Sequence, residues 1–210
     1  MPYYVLALTD RSLGLERIGG RHVHDVHVHG VHAICQRMTH LPAVTGEVLR
    51  RQHADVIAIS QRVPAILPVR FGALLGKDDL TTILRTSAGA IHQALDEVRG
   101  RVQMTVRVRG NVPTPTAASP ATGRQYLEQR RRAASPALPR GAREFLDAVV
   151  PLVRSERREA GTAGLLASLY HLVDAADVAE YERIARKMTD GDIVWSGPWP
   201  PFAFTPPVLS

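Results

Sequence analysis

The chain has 210 residues, of which 45% are hydrophobic and 22% charged, so we expect a globular protein with one large domain or two small ones. Its single cysteine, Cys35, excludes an internal disulfide framework and any zinc site built only from cysteines. No apolar run reaches the roughly 18 residues that a membrane-spanning helix needs. The first residues, Met1–Tyr4, lack the basic flank of a secretory signal, and we therefore expect a cytoplasmic protein.

The net charge of +6 is concentrated in one part of the chain. Residues 99–158 have 13 basic and 4 acidic side chains, a net charge of +9, whereas residues 1–98 carry +1 and residues 159–210 carry −4. Of the 26 basic residues, 24 are arginines, which bind phosphate, nucleic acid and acidic protein surfaces. The excess charge therefore marks a candidate docking surface in the central segment.

The first forty residues are rich in strand signals. Residues 3–8 are apolar and aromatic, as in a buried strand. Residues 23–28 and 31–36 then favour two strands of a hairpin that turns at Gly30.

Two helices and an edge strand are predicted next. Thr45 can cap a helix that extends to about Ser60, with Leu49 and His53 on its apolar stripe. Two prolines interrupt residues 63–69, which indicates an edge strand or an irregular crossover. Residues 78–99 have the apolar spacing of one amphipathic helix, with Asp78 or Asp79 as its cap.

The second half of the chain predicts the split βαβ pattern of ferredoxin-like domains. The predicted order is strand 102–108, helix 125–134 resuming at 142–153, paired strands 155–160 and 165–173, helix 175–188 and strand 192–195. We therefore predict an α+β protein with two small domains, 1–100 and 101–210. A proline-rich loop is expected near 111–123, and an extended aromatic tail, 196–210, is expected to pack on the body.

Five histidines lie within eleven residues of the predicted hairpin: His22, His24, His27, His29 and His32. On a strand, alternate histidines share a face, and two ligands on one face supply half of a zinc site. A metal-binding protein is therefore one alternative, and solvated side chains on a polar hairpin are the simpler interpretation.

A nucleic-acid-binding module is the other alternative, because ferredoxin-like sheets often present a basic surface. RNA-binding sheets of that kind stack bases on exposed aromatic side chains. The strand 102–108 offers none, and only 5% of the chain is aromatic. We therefore prefer a protein partner for the basic segment.

The C-terminal segment 195–204 holds both tryptophans and two of the four phenylalanines. Its prolines exclude a helix or a central strand. The aromatic side chains can pack on their own domain or bind a partner, and packing is the more economical interpretation because the segment is terminal.

Three blocks of the sequence resemble the gas vesicle protein F/L family. The ending Ser196–Phe204 is similar to the family's G-P-W-P-P-[YF]-x-F, residues 53–72 to its H-x(n)-L-P-[LVM]-R-F-G, and Gly123–Arg130 to its G-x-x-Y-L-x-x-R. Gln103 departs from the family pattern, in which glutamate is common at that position. The matching residues are His53, Leu67, Pro68, Arg70, Phe71, Gly72, Tyr126, Leu127, Gly197, Pro198, Trp199, Pro200, Pro201, Phe202 and Phe204.

The resemblance implies a non-enzymatic accessory protein of gas vesicle formation that binds the small hydrophobic shell protein and other accessory proteins. It implies no cofactor, no nucleic acid and no membrane, and a location in the cytoplasm and at the gas vesicle. We expect Arg70 to tie its loop to carbonyls or a carboxylate of the neighbouring domain, and Phe71 to anchor that loop in the core. The candidate partner-docking residues in the basic segment are Arg124, Arg130, Arg131 and Arg132.

Overall fold

The computed structural model describes residues 1–14, 16–110, 138–161, 164–188 and 191–207. These residues form five α-helices and three β-sheets, which confirms the expected α+β class. Contacts divide the chain into two compact units, Met1–Val102 with Trp199–Ser210, and Gln103–Pro198. The predicted domains, 1–100 and 101–210, differ from these units because the terminal segment has its contacts in the first unit.

The first unit is built around a buried central strand. Strand β1 pairs antiparallel with β5, β6 and β7, and all seven of its residues are buried. The main strand order is β4-β5-β1-β6, and β2 and β3 form a separate ribbon. The elements are β1 (Tyr3–Thr9), β2 (Arg17–Ile18), β3 (Arg21–His22), β4 (His24–Val28), β5 (Val31–Arg37), α1 (Gly46–Ser60), β6 (Ile66–Pro68), β7 (Leu74–Leu75), α2 (Lys77–Thr86) and α3 (Ala88–Val98).

The second unit has a four-stranded sheet with the strand order β11-β8-β10-β9. Its elements are β8 (Arg101–Arg109), α4 (Arg140–Val149), β9 (Val153–Ala160), β10 (Leu165–Asp174), α5 (Val178–Met188) and β11 (Ile193–Trp199). The core includes Met104 of β8, Phe145 of α4 and Tyr181 of α5, all with no exposed surface. Strands β9 and β10 pair antiparallel, as predicted.

Helix α1 begins where the sequence predicts. The Thr45 side chain accepts a hydrogen bond from the backbone N–H of Val48 at 3.3 Å, so it caps one of the free N–H groups of the first turn. Val56 and Ile59 of α1 pack into the sheet with no exposed surface. Leu49 lies two turns before Val56 on the same side of the helix, and it is 42% exposed.

The single helix predicted for residues 78–99 is wrong. Two helices occupy this region, because Ser87 has ψ near 7° and interrupts the helical backbone between them. The apolar period continues through the break, so the sequence pattern does not mark it. Asp78 and Asp79 lie in the first turn of α2, and neither caps it, since Gly76 is the cap residue without a side-chain bond.

Two further predictions are corrected at prolines. The helix predicted for 142–153 spans Arg140–Val149, and a 3₁₀ turn follows at Val150–Leu152, where Pro151 cannot continue the helical hydrogen bonds. The last strand extends to Trp199 and includes Pro198, which is tolerated because β11 lies at the edge of its sheet. The helix predicted at 125–134 and the loop at 111–123 lie outside the described residues.

Across the ranges that the structure describes, no helix is long and apolar enough to cross a membrane. The longest of them, α1, has 15 residues, whereas a spanning helix needs about 20.

Candidate interaction groove

Two of the three sequence blocks that resemble the family meet in the first unit. The His53 ring on α1 lies 5.4 Å from the Trp199 ring between centroids and 5.7 Å from the Phe202 ring. The His53 and Phe202 rings are nearly parallel, with an interplanar angle of 20°. The histidine therefore holds the C-terminal segment against α1.

The terminal segment also contacts the loop that follows β6. The Thr205 hydroxyl donates a hydrogen bond to the carbonyl of Pro68 at 2.9 Å. Residues Phe202–Phe204 form a short 3₁₀ turn, and Phe204 is only 3% exposed. The segment thus packs on its own chain, as the sequence favoured.

An open groove lies where these segments approach each other. It has a volume of about 250 Å³, and α1, the loop after β6 and the terminal segment each contribute to its walls. The lining residues are Leu49, Gln52, His53, Val69, Arg70, Phe71 and Phe202.

The side-chain amide of Gln52, which lines the groove, is already hydrogen-bonded within the protein. The Tyr4 hydroxyl donates to Gln52 Oε1 at 2.6 Å, and Gln52 Nε2 donates to the carbonyl of Val69 at 3.2 Å. Burial raises the pKa of the Tyr4 hydroxyl, so this donor stays protonated. The wall therefore offers a partner mainly apolar and aromatic surface.

Among the described residues, Arg70 has no partner of the kind that we expected. Its side chain is exposed at the groove, and within the described ranges it has no hydrogen bond or ion pair. The loop is held by main-chain bonds, since Val69 N–H donates to Leu6 O at 3.0 Å and Val5 N–H donates to Ala73 O at 2.9 Å. Because the backbone holds the loop in place, the described part of the chain leaves the guanidinium available to a partner.

Phe71 is half-buried and does not reach the centre of the core. Its ring meets the Tyr4 ring edge-on, with 6.0 Å between centroids, and one side of it lines the groove. Leu67 is fully buried beneath this loop, and Gly72 adopts φ +112°, a conformation that favours glycine. The block therefore combines core residues with an accessible aromatic face.

Gly197, at the start of the terminal block, lies in the second unit. A Cβ atom there would lie 2.8 Å from the carbonyl oxygen of Gln103 and 2.9 Å from the Met104 sulfur. Its φ of +137° is also unfavourable for any other residue. The glycine is thus required for the close approach of β11 to β8.

The third sequence block and the basic docking candidates lie outside the described residues. These are Tyr126, Leu127, Arg124, Arg130, Arg131 and Arg132. Their roles stay predictions.

The predicted hairpin forms from strands β4 and β5, and His22 lies just before it at the end of β3. His27 and His32 stack with 4.3 Å between ring centroids, and His32 Nδ1 is 2.9 Å from both carboxylate oxygens of Asp25. Within the described ranges no group of three or more histidine, cysteine, aspartate or glutamate side chains is arranged to hold a metal ion.

Residues 3–206 match the sequence model of a family described as gas vesicle synthesis protein GvpL/GvpF. The chain belongs to the GvpL/GvpF family. No match is found among curated proteins.

Two solved structures of gas vesicle protein GvpF have a similar fold. The protein from Anabaena sp. PCC7120 has a TM-score of 0.73 at 12% identity, over 98% of this chain and 96% of that one. The protein from Microcystis aeruginosa has a TM-score of 0.72 at 11% identity, over 98% of this chain and 99% of that one. This GvpL/GvpF member thus keeps the fold with few identical residues.

Three lining residues of the groove were not among the predicted site residues: Leu49, Gln52 and Val69. Leu49, Gln52 and His53 follow the i, i+3, i+4 spacing of one helix face. That spacing was visible in the sequence, but it is also the signal of a face that packs into the core. Only the position of the terminal segment identifies this part of α1 as a groove wall.

Proposed function

We propose that this chain is an accessory protein of gas vesicle formation that binds the small hydrophobic shell protein during vesicle assembly. It works without a cofactor and without catalysis, in the cytoplasm and at the gas vesicle. The observation that carries this proposal is the convergence of two family blocks on one open groove in a member of the gas vesicle synthesis family.

The physical argument concerns the solubility of the partner. A highly apolar shell subunit aggregates unless its exposed surface is covered before it polymerises. A groove with aromatic walls and an arginine can cover apolar surface of the shell subunit, so the complex stays soluble. Aromatic and arginine side chains carry most of the binding energy at protein interfaces. The aromatic walls are formed by His53, Phe71 and Phe202.

We further propose that the chain has two domains close to the predicted 1–100 and 101–210, with the terminal residues from Trp199 packed in the first, and that the second domain is ferredoxin-like. Support comes from the order of its strands in the sheet, with the last strand beside the first and the third beside the second. Arg124 and Arg130–Arg132 are proposed to attract acidic positions of the shell protein or of another accessory protein, which increases the association rate more than the affinity.

Co-expression tests the proposed function. The tagged chain and the untagged shell protein are produced together, and the eluate is analysed for stoichiometry with and without nuclease. We expect a nuclease-resistant complex with a fixed ratio of the two proteins. An unrelated tagged protein of similar net charge is the control, and equal recovery of shell protein with both baits would contradict the proposal.

A further inference from the structure

We propose that the groove is the docking site for a shell-protein segment in which an apolar side chain is followed closely by a carboxylate. This inference rests on the function proposed above and assigns it to particular residues. The apolar side chain enters between Leu49, Phe71 and Phe202, and the carboxylate pairs with Arg70.

The size of the groove indicates whether it binds a small molecule or a segment of a protein. Pockets that enclose cofactors or drug-sized ligands measure roughly 300–1,000 Å³ and cover most of the ligand. The groove has a volume of about 250 Å³ and is open. It therefore suits one or two protruding side chains of a protein segment better than an enclosed small molecule, as in helix-in-groove recognition.

The positive charge of Arg70 indicates which polar group of the partner lies beside the apolar side chain. Gln52 uses both ends of its amide within the protein, so it offers a partner little. Arg70 is exposed and has no counter-ion within the described ranges. A guanidinium beside apolar walls forms a bidentate bond to a carboxylate, and the bond strengthens when the partner excludes water. A carboxylate is therefore the matching group.

The walls of the groove are held in place before a partner arrives. His53 stacks on Phe202, Phe71 rests on Tyr4, and Thr205 bonds to Pro68. Because these contacts fix the aromatic rings, little conformational entropy is lost on binding. Aromatic and arginine side chains in such positions dominate the affinity of interfaces.

Five single variants in the full chain test the assignment by co-purification with the shell protein. Leu49→Asp and Arg70→Glu alter the groove. Leu41→Asp and Arg11→Glu are matched controls, since Leu41 is 43% exposed against 42% for Leu49, and Arg11 is exposed like Arg70, with neither control lining the groove. Arg70→Lys tests whether positive charge alone is sufficient, and circular dichroism checks that every variant is folded.

We expect Leu49→Asp and Arg70→Glu to lower shell-protein recovery at least tenfold, and the two controls to stay within about twofold of the unchanged chain. Arg70→Lys is expected to retain intermediate binding that falls as salt rises. If the unchanged chain binds and the folded groove variants bind equally well, the groove assignment is wrong and the proposed function stands. Equal losses in the controls also overturn the assignment, and absence of binding by the unchanged chain overturns both.

Discussion

At the scale of single residues, Gly197 explains why a glycine opens the terminal sequence block. Its φ of +137° lies in a region that side-chain-bearing residues rarely adopt, and the backbone of β8 leaves no space for a Cβ atom. The sequence identified this position through its resemblance to the family. Its physical reason is a contact with Gln103 and Met104, more than ninety residues earlier in the chain, and no local pattern reveals such a contact.

We predict that Gly197→Ala lowers the free energy of unfolding by about 2 kcal/mol or more, because it adds backbone strain to a steric clash. The matched control is Gly89→Ala, since Gly89 lies in α3 and a Cβ atom added there would meet no atom within 4 Å. Alanine in a helix is favoured over glycine by roughly 0.5–1 kcal/mol, so the control should be neutral or stabilising. Urea unfolding of both variants measures the difference, and equal effects would show that the contact at Gly197 relaxes freely.

For Arg70 and Phe71, the sequence predicted that the residues matter, and it did not predict their surroundings. The sequence marked both residues, but it assigned Arg70 a structural tie and Phe71 a core position. The guanidinium is exposed and has no bond within the described ranges, and Phe71 is half-buried against the core. The difference arises because main-chain hydrogen bonds from Val69 and to Ala73 already hold the loop, and such bonds leave no signature in side-chain types.

At the scale of elements, α1 has an ion pair on one side of the helix and lines the groove on another. Arg21 of β3 pairs with Asp55 of α1, which is only 4% exposed, and Gln36 of β5 is 3.4 Å from the same carboxylate. Burial raises the pKa of Asp55, and the guanidinium of Arg21 opposes that change. The pair therefore attaches the small β2–β3 ribbon to the helix that carries His53.

We predict that Arg21→Met destabilises the protein by about 2 kcal/mol at neutral pH, because it leaves a buried carboxylate without its cation. Without Arg21 the pKa of Asp55 rises further in the folded state, so the folded chain favours the protonated acid. The loss should therefore be largest at neutral pH and diminish as the pH falls toward about 4, near the ordinary pKa of aspartate.

Thermal unfolding between neutral and acidic pH measures this dependence, and the double variant Arg21→Met with Asp55→Asn is the control. Removing the charge of Asp55 should recover part of the loss at neutral pH and abolish its pH dependence. A constant loss across the pH range in Arg21→Met would show that Arg21 contributes through packing and not through charge.

Sequence patterns predicted most elements but not all of their limits. The Thr45 cap and the β4–β5 hairpin followed from local residue chemistry. The break between α2 and α3 did not, because Leu84 before Ser87 and Ile91 after it are both buried and continue one apolar stripe. The backbone conformation of Ser87 divides the helix in two and leaves the spacing of the apolar residues unchanged.

At the scale of the whole molecule, the C-terminal segment of the chain belongs to the first unit. Contacts place Trp199–Ser210 with Met1–Val102, although the sequence assigned this segment to the second domain. The dense aromatic residues at the terminus predicted that the segment would pack on its own chain. It could not identify the site, because every apolar face in the protein is a possible partner for a tryptophan or a phenylalanine. Tertiary contacts with His53 and Pro68 decide the location.

The family assignment, the fold and the groove together give a specific account of this protein. Two distant sequence blocks fold together to build one preorganised surface, and that surface is proposed to hold the shell protein. Positive charge in the central segment is proposed to bring the two proteins together. The most direct measurement is the position at which the shell protein touches the chain.

Site-specific photocrosslinking makes that measurement in cells that produce gas vesicles. A photoreactive phenylalanine analogue is placed at position 49, in the groove, or at position 41, which is equally exposed outside it. We expect a crosslink to the shell protein from position 49, its loss when Arg70→Glu is added, and little or none from position 41. Equal crosslinking from both positions, or none from position 49 while the two proteins co-purify, would contradict this expectation.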